Sequence, residues 1–376
     1  MKTNLVAKTL MLYKCRSVSK INFYGNDCEF LKNLNQYFEN LKEIDVTNLT
    51  VNVQNNSNYN NINLTATVIE KIILISEYMD VFMNSQKLPS TLLEVYLYYH
   101  NEDNVTVSQL YSDHSSTFSS FNNTSAKCYI MTVFTVRSYI GRPMLGGYGG
   151  SANLGEIDTK YYDDWFIDRY NYVFGFELSI YTSEYSEGVG YTGYPLYVDF
   201  AEYNYKAQQV YVRSHCSYTA TLVNFSGSSG NGHNTHIEYF KYDSDFEAII
   251  KQDCFNHCSP LREVELCDNI VAFGGWSFNR CTSLEKLNIP KKIRYIGRYA
   301  ITKTLLTNFC QLPSVCFFVG DHAFEETQYD GYYIPPMSNA DAQAFYSGDW
   351  GALYVFMCSQ NINYVDMNTK KEYRVL

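Results

Sequence analysis

Cys254, His257, Cys258 and Cys267 fall within one stretch, IIKQDCFNHCSPLREVELC, residues 249–267. Thiolate and imidazole groups this close are what a structural zinc site uses, and paired thiols are what a redox centre uses. The spacing argues against both. A zinc knuckle needs a second Cys-x-x-Cys or His-x-x-His pair at a fitting distance, and none follows. Haem attachment needs Cys-x-x-Cys-His, whereas the order here is Cys-x-x-His-Cys.

A second candidate is the aromatic and acidic run YYDDWFIDRY, residues 161–170. Tyr161, Tyr162, Trp165 and Tyr170 offer faces that stack on sugar rings, while Asp163, Asp164 and Asp168 offer carboxylates that accept hydroxyls or perform acid–base work. The competing reading packs these aromatics against a loop or helix and leaves the carboxylates solvated. In a chain with 36 tyrosines it is preferred. Tyr161, Tyr162, Asp163, Asp164, Trp165 and Tyr170 are therefore candidate ligand-binding residues. No residue is assigned as catalytic, and neither a metal nor a cofactor is expected.

Weaker signals do not change this. The Gly-rich stretch 141–155 lacks the GK[ST] of a phosphate-binding loop. His233 and His236 sit three apart in a Gly/Asn loop, where solvated histidines are the ordinary outcome. His215 and Cys216 are neighbours on an expected strand, so they face opposite ways and cannot act as base and nucleophile.

The elements that must position these residues are set by a repeat. Leu261-x-x-Val264-x-Leu266 becomes Leu284-x-x-Leu287-x-Ile289, a shift of 23 residues. The same shift carries Phe255 to Phe278, Cys258 to Cys281 and Ile250 to Phe273. Repeated, it carries Phe273-Gly274 to Ile296-Gly297 and then to Val319-Gly320. Two apolar residues two apart point inward from a short strand, and a unit this small buries that face only against a neighbour. A solenoid follows. In its register Cys254 and Cys258 occupy small inward positions, and His257, aligned with Arg280, is expected to be exposed.

The units FGGWSFNRCTSLEKLNIP and IGRYAITKTLLTNFCQLP resemble the BspA-like leucine-rich repeats, in which Ile-Gly-x-x-Ala-Phe precedes Cys-x-x-Leu-x-x-Val-x-Ile-Pro. The ending YIPPMSNADAQAFYSGDWGALY resembles that family's terminal unit, with Tyr346 and Trp350 packed over the last coil. The resemblance is clear over about 249–355 and implies recognition or adhesion at a surface.

The same half-motif recurs in degenerate form, over about 15–98, as Val18-Ile21-Phe23, Leu41-Ile44-Val46, Ile69-Ile72-Leu74 and Leu92-Val95-Leu97. The Asn-rich stretch 52–63 reads as a loop that lengthens one step. Ile237-Phe240-Tyr242 reads as one more unit before Leu261. Between them the period disappears and alternating strands separated by Gly/Ser-rich loops take over. The expected organisation is mainly β: a degenerate repeat segment at 1–98, an inserted all-β domain at 99–236, repeats at 237–336 and a capping segment at 337–376.

The net charge of −10 disfavours a phosphate-neutralising surface, so nucleic acid is not an expected partner. No apolar run is long enough to span a membrane, and the start, MKTNLVAKTLMLYKCRSVSK, is too interrupted by charge to read as a signal peptide. Eleven cysteines, an odd number, suit free buried thiols folded in a reducing cytoplasm. These features together lead to an expected non-catalytic interaction or assembly protein whose partners are other proteins, with glycans as a further class and an oligomer compatible with the design. The preferred setting is a virion, as a phage tail or capsid accessory component touching neighbours or a host surface. The alternatives are a carbohydrate-active enzyme acting through Asp163, Asp164 and Asp168, and a bacterial or protist cell-surface adhesin.

Overall fold

The computed structural model describes residues 16–25, 28–50, 62–100, 107–139, 172–183, 196–199, 207–215, 220–223, 236–307, 310–316, 318–320, 322–327, 332–333, 364–366 and 371–373. The chain forms two compact units, one of residues 1–134 and 160–176, the other of residues 135–159 and 177–376. Both are built from parallel strands.

In the first unit β1 (Lys20–Gly25), β2 (Glu43–Leu49), β3 (Lys71–Ile75), β4 (Glu94–His100) and the start of β5 (Lys127–Tyr139) pair in parallel, each with the next. One inward column runs Ile21, Ile44, Ile72, Val95, Cys128. From Ile44 onward its members are completely buried. The first four are the apolar positions expected from the degenerate half-motif, and the ladder adds Cys128. The neighbouring outward column runs Lys20, Glu43, Lys71, Glu94, Lys127, so opposite charges face each other at every step. Lys20 Nζ lies 2.6 Å from a Glu43 carboxylate oxygen. Such half-exposed pairs are worth under about 1 kcal/mol each, but like charges at the same positions would oppose the stacking register. Two short helices, Val107–Asp113 and Ser115–Phe121, lie in the β4–β5 connection. They bury Leu110, Phe118 and Phe121, and the Phe118 ring meets Tyr172 edge-on at 5.7 Å.

β6 (Tyr172–Ser183) carries the chain onward. The second unit holds two parallel ladders. One contains β8 (Gln209–His215), β10 (Tyr239–Ser244), β12 (Glu263–Leu266) and β14 (Lys286–Leu287), paired in that order. The other contains β7 (Leu196–Asp199), β9 (Ala220–Val223), β11 (Ala248–Ile250), β13 (Ile270–Phe273), β15 (Tyr295–Ile296) and β17 (Phe318–Val319). Successive coils thus contribute one short strand to each ladder. Phe240, Val264 and Leu287 lie in register, as do Ile250, Phe273, Ile296 and Val319. Val264 to Leu287 and Ile250 through Val319 follow the 23-residue shift, and Phe240 precedes Val264 by 24. β16 (Cys310–Gln311) pairs with β18 (Tyr332–Tyr333), and β19 (Tyr364–Asp366) pairs with β20 (Lys371–Tyr373), the latter antiparallel.

The turns after β11, β13, β15 and β17 also form a ladder. The amides of Asp253, Phe255 and His257 donate to the carbonyls of Gly275, Ser277 and Asn279 in the next coil. Those of Trp276, Phe278 and Arg280 donate to Arg298, Ala300 and Thr302. To aim these groups along the stack the backbone enters the left-handed region at two positions per coil. One column is Asp253, Trp276, Tyr299 and His322, with φ of 61°, 55°, 54° and 58°. The other is His257, Arg280, Lys303 and Glu326, with φ of 63°, 59°, 59° and 53°. No member is glycine, so each coil bears roughly 1–2 kcal/mol per such residue, offset by amide bonds that would otherwise be lost in the interior. Glycine is reserved for Gly274, Gly297 and Gly320, where coils come closest. A Cβ on Gly297 would lie 2.4 Å from the Gly275 nitrogen.

The expected all-β insert at 99–236 is not confirmed. Its strand β5 continues the parallel ladder of the first unit, two helices lie before it, and β7, β8 and β9 pair in parallel with strands of the second unit. The reason is loop length. The step from Glu94 to Lys127 is 33 residues and that from Gln209 to Tyr239 is 30. A single strand's alternation survives such variation, whereas a fixed period does not.

Candidate interaction surface

The inward half of each first-ladder strand builds the core, and the outward half faces away from it. In the second unit that face presents Tyr211 and Arg213 from β8, Tyr239 and Lys241 from β10, Glu263 and Glu265 from β12, and Lys286 from β14. Tyr211 and Tyr239 meet edge-to-face, with ring centres 5.4 Å apart. Burial, and then the hydrogen bond Tyr239 donates to Glu265, hold the Tyr239 hydroxyl protonated well above the ordinary tyrosine range. Burial acts to raise the Glu265 carboxyl, but the hydrogen bonds from Lys241 and Tyr239 outweigh it and hold the group below its usual value. Lys241 Nζ is 2.9 Å from Glu265, and Lys286 Nζ is 3.0 Å from Glu263. At the end of β10, His215 Nδ1 lies 2.9 Å from Asp245 and Arg213 lies 3.4 Å from it. The His215 bond first, then Arg213, depress the Asp245 carboxyl.

A concavity of about 540 Å³ opens beside β12 and β14, lined by Glu263, Glu265, Glu285, Lys286, Asn288 and Leu306 among others. The first unit shows a comparable outward face of its own. Tyr96 and Tyr129 stack with ring centres 4.3 Å apart, and Lys71 Nζ sits 4.2 Å above the Tyr96 ring.

In the opening stretch Cys254 and Cys258 are completely buried packing groups, Cys267 is half-exposed, and one coil on Cys281 directs its Sγ at the Phe255 carbonyl at 3.1 Å. Burial pushes the Cys258 and Cys281 thiols far above the ordinary value, the opposite of what a thiolate ligand or nucleophile requires. Among the described residues no group of three or more His, Cys, Asp or Glu is placed to hold a metal ion. His257 is half-buried rather than exposed, whereas Arg280, at the equivalent position of the next coil, is exposed. His215 is paired with Asp245, while Cys216 and His233 lie outside the described residues, as do Tyr161, Tyr162, Asp163, Asp164, Trp165, Asp168 and Tyr170.

Sequence reasoning did not single out Tyr211, Tyr239, Lys241, Glu263, Glu265 and Lys286. The signal was present: they occupy the polar positions between the apolar ones of each half-motif, and those positions face outward on a strand.

No curated protein and no solved structure matches the chain. The family comparison does give a match, and it falls where the two ladders are most regular. Residues 233–349 match, in six copies, the family model described as BspA type Leucine rich repeat region.

Proposed function

We propose that the protein is a non-catalytic recognition or assembly component that engages protein partners, and secondarily glycans, through the outward faces of its parallel ladders. One observation carries this reading: tyrosines, carboxylates and lysines recur at matched positions of successive strands over a predominantly apolar core. Tyrosine supplies contact area at low entropic cost, and the charges supply orientation and selectivity. The matching repeats suggest surface or protein interaction in the same sense. In this reading residues 237–336 carry the regular coils, 337–376 cap them, and 1–98 and 99–236 supply the remaining surface.

The setting we favour is a virion, with the chain as a phage tail or capsid accessory component that contacts neighbours or a host surface. Buried free thiols at Cys128, Cys254, Cys258, Cys281 and Cys316 support folding in a reducing compartment before display. Lysine cross-linking of purified particles, read by mass spectrometry, tests it. Cross-links from Lys241 or Lys286 to a second structural protein are expected. Recovery of the protein solely from the cell-surface fraction would overturn the virion setting in favour of an adhesin. A glycan-hydrolysis screen tests the non-catalytic claim, since activity lost in Asp164→Ala would refute it.

A further inference from the structure

The turns after β13 and β15 carry a surface unlike that of the strand faces. Trp276, Tyr299 and His322 hold equivalent left-handed positions in successive coils, so the repeated backbone stacks their rings. Trp276 and Tyr299 lie 15° from parallel, and Tyr299 and His322 lie 11° from parallel. Tyr299 therefore has a ring against each face and leaves only its edge to solvent. Ring edges carry the positive end of the aromatic quadrupole. The Arg298 guanidinium adds a full charge, 5.0 Å from the Tyr299 ring centre and 5.8 Å from that of Trp276. Both distances are within cation–π range. Arg280 and Lys303 occupy the second left-handed column on the same two turns.

Arg280 and Arg298 are both exposed, and among the described residues neither forms an ion pair. The carboxylates of the flanking coils are engaged already. Asp253 accepts from Gln252 and Asn256. Glu325 lies 3.3 Å from His322, and Glu326 lies 3.3 Å from Lys303. The net charge of −10 does not cancel this local excess, because exposed charges more than about 8 Å away are largely screened at physiological ionic strength.

We propose that this turn surface is a docking site for an acidic segment of a partner protein. Guanidinium groups present paired N–H donors that match a carboxylate, and the ring edges add to the attraction. A glycan is the poorer fit, since both faces of Tyr299, on which a sugar would stack, are covered. Trp, Tyr and Arg are also the residues that carry most of the binding energy at protein interfaces. The site lies on the turns rather than on the outward strand faces, so it goes beyond that reading and does not require it.

The probe is an eight-residue peptide of alternating glutamate and serine, added to the full chain at physiological ionic strength. Anisotropy of a label on the peptide reports binding, and tryptophan emission reports its place. Saturable binding with an emission change is expected, and none for the matching lysine–serine peptide. Arg280→Glu and Arg298→Glu should each weaken binding at least about five-fold. Trp276→Phe keeps a ring in the stack, so it should keep the binding and lose the emission change. An unchanged circular dichroism spectrum verifies the fold of each variant. No binding, equal binding of the two peptides, or undiminished binding by either charge-reversed variant would overturn the site. So would an emission change that persists in Trp276→Phe. Tighter binding of a sulfated hexasaccharide than of the peptide would overturn the protein partner in favour of a glycan. Cross-links from Lys241 and Lys286 report on the strand faces, so if they survive while the peptide fails, only this inference falls.

Discussion

Single residues decide how closely the coils approach. Gly297 sits where a Cβ would meet the backbone of the preceding coil at 2.4 Å, and Gly275 where the nearest atom, the Arg298 carbonyl oxygen, is 3.2 Å away. The first contact is with main chain that has nowhere to move. Gly297→Ala should therefore cost at least about 2–3 kcal/mol, at the upper end of overpacking penalties, and Gly275→Ala clearly less. Urea unfolding followed by circular dichroism compares them. Asp245 gives a titrating counterpart. Its folded carboxyl is depressed by the bond to His215, so its contribution is present above the ordinary carboxylate value and is lost as pH falls through the folded one. The midpoint gap between the natural protein and Asp245→Asn should be open above the ordinary carboxylate value and close as the pH falls through the lowered one. Thiol chemistry separates the cysteines as well. Cys267 is half-exposed, while Cys254, Cys258 and Cys281 are wholly buried. An aromatic disulfide reagent should modify Cys267 first and reach the others after denaturation. Rapid native labelling of Cys258 would contradict its role as a packing group.

At the scale of the element, the strands are too short to stand alone and the turns are what hold them. Phe255 and Phe278 stack with ring centres 5.1 Å apart, and Phe278 also meets Phe273 edge-on at 5.5 Å. Both turn rings are fully buried. Phe278→Ala removes a ring shared by two coils and should destabilise the second unit by roughly 3–5 kcal/mol. A change under 1 kcal/mol in calorimetry would show that the turns are not the core. This is also the level at which the sequence was most informative. Ile44, Ile72 and Val95 could be placed in register from three apolar positions per unit, and the ladder pairs them as expected. Phe240 and Val264 behave the same way. What escaped notice was the third, turn ladder. Asp253, Trp276 and Tyr299 share no side-chain chemistry, and a shared backbone angle leaves no trace in residue type when glycine is not used. The consequence on the surface is a column in which Trp276 and Tyr299 stack with ring centres 5.9 Å apart and Tyr299 and His322 at 5.0 Å.

At the scale of the whole chain, each unit reaches the same construction from different sequence. The first uses a column of alternating lysine and glutamate outside and isoleucine inside; the second uses tyrosine and mixed charge outside and phenylalanine turns inside. The strands at 127–133 and 209–215 were legible as strands but not as coils, because the connection before the first and the connection after the second are lengthened beyond the common period. The outward tyrosines were legible as abundance and not as position until the strands fixed their direction. The acidic and aromatic run at 161–170 lies outside the described residues.

The two left-handed columns have a consequence for how such a chain changes length. Because every coil repeats the same backbone angles at the same two places, removing one whole coil joins equivalent backbone to equivalent backbone. Deleting residues 275–297 places Gly274 directly before Arg298, in the role Gly297 held. That shortened chain should still unfold cooperatively, at a lower midpoint. Deleting residues 275–294 instead sets a left-handed position against an ordinary one in the neighbouring coil and should abolish the transition. The length of the stretch from Asp253 to Glu326 is thereby quantised: evolution can add or remove a whole coil there, and is penalised for a fraction of one.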